Sequence, residues 1–158
     1  MIVPMDELRR DEARDMAGAL ADRVLRHAPE QGRAPTAVPG LDLFRWDEPS
    51  PLRCSIYHPC LIIVAQGRKV GFLGGERYEY SPSTYLVLPV TLPMESRVLE
   101  ATPDRPFLSF AVHIDPTTLG QIMVDSGEGP PVVGELGQGV AVSRVDAGMA
   151  DAALRLAS

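Results

Sequence analysis

The chain has 158 residues, of which 45% are hydrophobic and 23% charged, enough for one globular core and too apolar for a disordered segment. Fifteen basic residues against 21 acidic ones leave a net charge of -6, the wrong sign for a surface that grips nucleic-acid phosphates. Fifteen prolines and fourteen glycines argue against a helical bundle and for short strands joined by many turns.

In chain order, Asp6 to His27 carries a helical pattern, with Leu8, Met16, Leu20 and Val24 on one stripe and Asp6 as the expected N-cap. Gly32, Pro35 and Pro39 break that pattern, so Ala28 to Pro39 reads as a linker. From Gly40 the period changes to two. Seven strands are predicted: Leu41 to Asp47, Cys60 to Gly67, Lys69 to Leu73, Glu76 to Tyr80, Tyr85 to Pro89, Met94 to Ala101 and Phe107 to Ile114. Gly74-Gly75 is a hairpin signal, and Pro89 and Pro93 bracket a turn. Cys60 to Gly67 is a continuous β-branched run that suits a strand buried on both faces. A short helix capped by Asp115 over Pro116 to Ser126, a loop over Glu128 to Gly139, a further strand over Val140 to Val145 and a second helix from Ala147 complete the chain. That last helix runs to Ser158 without a cap, which reads as the start of an element cut from a longer protein.

The two cysteines, Cys54 and Cys60, fit no common zinc or redox spacing and read as reduced thiols. Met1 to Arg14 is too charged for a secretory leader, and the longest apolar run, Cys60 to Ala65, is too short to span a bilayer. A cytoplasmic protein with no membrane partner is expected.

The segment from Ile56 to Pro116 carries several motifs in a specific order. They are Val64-Ala65-Gln66-Gly67 before a hairpin, Tyr78-Glu79-Tyr80, Tyr85-Leu86-Val87, Leu92-Pro93, and Glu100 to Pro106 before the last strand, preceded by a lead-in from Pro39 to Pro51. Over residues 36–120 the chain resembles the N-terminal domain of AraC-family transcription regulators. The resemblance implies a mainly β fold, a cupin-like jelly-roll barrel with an N-terminal helix and C-terminal flanking helices. It also implies a small-molecule effector in the barrel, a homodimer, and DNA binding only through a C-terminal helix-turn-helix domain absent from this chain. Residues 1–35 would be the helix and linker, 36–146 the sensing barrel, and 147–158 the start of a helix. Met94-Glu95-Ser96 departs from the smaller residues common after the Leu-Pro turn, so no particular effector carries over.

Metal-binding cupins need two histidines one residue apart on a strand, and this chain has only His27, His58 and His113. No metal and no cofactor are expected. Neither a nucleophile elbow nor a phosphate-binding loop is present, since Gly71 to Gly75 lacks the Lys-Ser/Thr and reads as a hairpin. The last strand divides into an apolar face, Leu108, Phe110, Val112 and Ile114, and a mixed face, Phe107, Ser109, Ala111 and His113. The mixed face suits either a ligand wall or a solvent-facing surface. Tyr85 is grouped with it, and Trp46, Tyr57, His58 and Cys60 are placed at the barrel entrance. Cys60 is either a trap for an electrophilic effector or an inert buried thiol. Arg97, Glu100 and Arg105 read as exposed charges. The expected function is effector sensing and dimerisation without catalysis; the alternatives are a small cupin-type enzyme and a purely structural dimerisation module.

Overall fold

The computed structural model describes residues 4–82, 84–115, 117, 141–144, 152, 155 and 156. Its first element is helix α1, Met5–His27. Pro4 takes the N-cap position without a side-chain hydrogen bond, so Asp6 lies in the first turn and is not the cap. A proline costs nothing there, because the first N–H groups of a helix have no acceptor within it. Leu20, Ala21, Val24 and Ala28 are buried, a stripe at the helical period, and Met16 is half-buried. The side chain of Leu8 lies outside the described residues.

Ten strands follow among the described residues: β1 (Gly32–Pro35), β2 (Leu41–Trp46), β3 (Arg53–Tyr57), β4 (Cys60–Gln66), β5 (Arg68–Leu73), β6 (Glu76–Tyr80), β7 (Thr84–Leu88), β8 (Leu92–Glu100), β9 (Phe107–His113) and β10 (Ala141–Arg144). They pair antiparallel in two sheets, ordered β1-β2-β9-β4-β7-β10 and β3-β8-β5-β6. The seven expected strands are all present, and β10 falls within the expected Val140 to Val145.

Two strands and one start differ from the sequence expectation. The segment expected to be a linker contains β1, an edge strand on β2, where the missing N–H of Pro35 breaks no interior ladder. β3 is also an edge strand, exposed at Arg53, Cys54, Ser55 and Ile56, so it carries no hydrophobic alternation to read. β8 begins at Leu92, which puts Pro93 inside a strand opposite Ile56. Pro93 is tolerated because the β5 ladder on its other side reaches only as far as Glu95.

Both faces of the larger sheet are covered. On β9, Phe107 and Ala111 face the second sheet and pack with Ile62 and Val64 of β4, Leu86 and Leu88 of β7, and Leu92, Met94 and Val98 of β8. Leu108 and Phe110 face the other way, into a second cluster made with Leu20, Val24 and Ala28 of the helix region. That double burial is why β4 reads as an unbroken apolar run. The β5–β6 hairpin turns at Gly74 and Gly75, both at positive φ (57° and 83°), as a two-residue hairpin of type I′ demands. The Asp115 carboxylate accepts the backbone N–H of Thr117 at 3.3 Å, the contact of an N-cap. The helix expected after it, the loop over 128–139 and the helix expected from Ala147 lie outside the described residues. Of that last segment Ala152, Arg155 and Leu156 are described, all three helical, and Leu156 packs half-buried against the cluster beneath α1.

Candidate functional site

The packing between the sheets is mostly apolar and carries polar groups at two places. On β5, Lys69 stands opposite Tyr80 of β6 and Val98 of β8, both buried in the inter-sheet core. The period of two therefore directs Lys69 and Gly71 inward and Arg68 and Val70 outward. Gly71 gives room there: a Cβ at that position would lie 2.9 Å from the sulfur of Met94. Lys69 is half-buried. Its ammonium donates to the Tyr57 hydroxyl at 3.4 Å and lies 5.9 Å from the ring centres of both Tyr57 and Tyr80. Ring faces attract a cation by about 0.5–2 kcal/mol, the more so out of water. They do not neutralise it.

Three hydroxyls complete the cluster. Tyr57 Oη and Ser96 Oγ share a hydrogen bond of 2.9 Å that ties edge strand β3 to β8. Tyr80 is 1% exposed, and its hydroxyl has no hydrogen-bond partner among the described residues. Burial holds the Tyr80 phenol well above the ordinary phenol range; the neighbouring Tyr57 phenol and Cys60 thiol push the same way, and the Ser96 hydroxyl beside it pushes back. It is a neutral group with an unspent donor. Most buried polar atoms have a partner, so an orphaned hydroxyl whose ring lies beside a cation marks a place where something else can bond.

A second polar group sits where β1, β2 and β9 meet. Asp42 is 6% exposed, and a single carboxylate oxygen takes Arg33 Nη2 at 2.7 Å and His113 Nε2 at 3.0 Å. Burial alone would raise the Asp42 pKa; the hydrogen bonds from Arg33 and His113 outweigh it and hold the carboxyl below its ordinary value. This is a satisfied structural tie, and it occupies the His113 ring.

Of the residues named from sequence, the structure brings Trp46, Tyr57, Cys60 and Phe107 together around the inter-sheet core. Ser109, 4% exposed, stands two residues from Phe107 and Ala111 on the same face. Tyr85 is not with them: it is paired with Ile63 and packs into the cluster beneath α1. His58 is exposed. Burial pushes the Cys60 thiol up to about 11, so it remains a protonated, weakly nucleophilic thiol near neutral pH. Glu100 is exposed and paired with Arg68 at 2.9 Å.

Sequence reading missed Lys69, Tyr80 and Ser96 as site residues. No local signal marked the first, a lysine at an inward position of a short strand beside a bulge. Its phase could be fixed only by knowing the partners of β5. An open groove of about 580 Å³ lies at the β5–β6 hairpin tip, away from the inter-sheet core, lined by Leu52, Cys54, Phe72, Pro93, Glu95 and the turn glycines. It encloses nothing, unlike a small-molecule site.

Among the described residues no helix is long and apolar enough to cross a membrane. No curated protein matches the chain. The model of the family described as AraC-type transcriptional regulator N-terminus matches residues 37–158, more than half of the sequence. The chain belongs to that family, the N-terminal domain of AraC-type transcriptional regulators.

Proposed function

We propose that this domain senses a small molecule held between its two sheets and passes that state on to the rest of a regulator, without catalysing a reaction. The observation that carries the reading is the buried Tyr80 hydroxyl, unpartnered among the described residues, beside a half-buried lysine. A ligand that meets those groups binds one arrangement of the sheets better than another, which is all that signalling requires. With β1 and β10 set aside, the order β2-β9-β4-β7 facing β3-β8-β5-β6 supports a cupin-like jelly-roll reading of the barrel, residues 36–146. Dimerisation belongs to the same proposal. Ile56 is 61% exposed and Leu52 48% exposed beside the free edge of β3, the kind of strand edge that pairs with a second copy.

The test is a melting screen of a metabolite library, read together with the fluorescence of Trp46, the single tryptophan, which packs against the inter-sheet core. A ligand at a hundredfold excess over its Kd should raise stability by about 2.7 kcal/mol, a Tm shift of a few degrees. Ser109→Leu, which fills the interior, should abolish the response while keeping the far-ultraviolet spectrum. If no compound moves Tm and Trp46 emission together, or if hits are indifferent to Ser109→Leu, the domain is a structural module and the sensing proposal is wrong.

A further inference from the structure

We infer that the cluster of Lys69, Tyr57, Tyr80 and Ser96 is an anion subsite, and that the molecule it takes is an organic monocarboxylate whose apolar body lies along the inter-sheet core. The inference rests on the sensing proposal above and names the chemistry of its ligand. Its first support is the charge count. Lys69 directs its ammonium inward, and among the described residues no carboxylate lies within ion-pair distance of it. Elsewhere the inward charge is matched: Asp42 has both Arg33 and His113. A half-buried ammonium still keeps some water. A neutral ligand closing over it would strip that water and return only dipoles, whereas an anion returns a full opposite charge.

The second support is donor geometry. The Tyr80 hydroxyl, on a residue 1% exposed, lies beside the Tyr57 and Ser96 hydroxyls and makes no well-aligned hydrogen bond to either. Tyr57 and Ser96 share one hydrogen bond between two hydroxyls, which leaves one of their two protons available. Ammonium and hydroxyl donors converge with no acceptor-only group among them, the complement of a carboxylate's two oxygens. The third support is the number of charges. One cation can balance one negative charge, so a phosphate monoester or a dicarboxylate would carry a surplus charge into an apolar interior. Beyond the polar cluster the core is built from Phe107 and Val98 with Trp46 packed against it, so a ligand that entered would meet hydrocarbon and aromatic rings there.

The experiment titrates the full chain with two matched series: monocarboxylates from acetate through phenylacetate to indole-3-acetate, and their primary amides. Binding to the indole-free members is read by Trp46 emission and for all members by calorimetry. The expected result is at least one carboxylate that binds saturably and at least tenfold more tightly than its amide. That preference should vanish in Lys69→Met and persist in Lys69→Arg, with both variants checked for folding by circular dichroism. Phenyl phosphate should bind more weakly than the best carboxylate. Amides that bind as tightly as acids, or a preference that survives Lys69→Met, would overturn the anion subsite while leaving a sensing interior in place. No binding by either series would overturn the carboxylate assignment, and the library screen with Ser109→Leu would then judge the sensing proposal separately.

Discussion

Asp42 is buried on the inward face of β2 and survives there because its one hydrogen-bonded oxygen is reached by a guanidinium and an imidazole. Its carboxyl titrates below the ordinary range, so the folded chain binds that proton less readily than the unfolded one. The sign follows: the Asp42 contribution is complete above the ordinary carboxylate range and disappears as pH falls through the depressed value. Asp42→Asn should cost about 1 kcal/mol near neutrality, a figure kept small because Arg33 is 63% exposed and its charge is screened. The difference between wild type and variant in urea unfolding should shrink steadily below about pH 4. A difference that is constant from pH 7 to pH 3 would show that the tie works through packing and not through charge. Lys69 is the contrasting residue. Nothing in its immediate sequence distinguishes it from an exposed strand lysine, since its inward phase depends on Tyr80 and Val98, 11 and 29 residues further along the chain.

At the scale of elements, strands with a covered face were legible and uncovered edges were not. β4, β7 and β9 lie inside a sheet, so burial wrote apolar residues onto them at period two or one. β1 and β3 lie at edges and bury little, so the sequence there is free to hold Gly32, Pro35, Arg53 and Ser55. Tyr85 was misplaced for a related reason: β7 has apolar residues on both faces, and alternation alone does not say which face meets the helix. The helix itself supplies a measurable consequence. Val24 is fully buried against β2, β4 and β9 residues, whereas the next residue, Leu25, is 39% exposed. Val24→Ala should cost about 2 kcal/mol, two methyl groups and the void they leave, and Leu25→Ala about 0.5 kcal/mol or less. Denaturant midpoints at unchanged slope measure both. Equal costs would mean that α1 is held to the sheet by something other than this stripe.

At the scale of the whole molecule, membership of a regulator family and an acidic surface have to be reconciled. Lysine and arginine total 15 against 21 aspartates and glutamates, and among the described residues four arginines are tied to carboxylates: Arg33 to Asp42, Arg45 to Asp47, and Arg68 and Arg77 to Glu79. Phosphate binding draws its strength from clustered positive charge that displaces counterions, and a chain whose carboxylates outnumber its cations offers little of it. The inward cation, Lys69, lies 5.9 Å from the centres of two tyrosine rings. The charge balance predicts few phosphate contacts for this chain itself. Fluorescence anisotropy of the chain with labelled upstream DNA of its own locus, at physiological salt, should give a Kd no tighter than the non-specific range of about 10⁻⁴ to 10⁻⁶ M. Random DNA of equal length should bind equally well, because phosphate contacts carry no sequence information. Sub-micromolar binding that discriminates against random DNA would require a basic recognition surface in this chain and would reverse the conclusion.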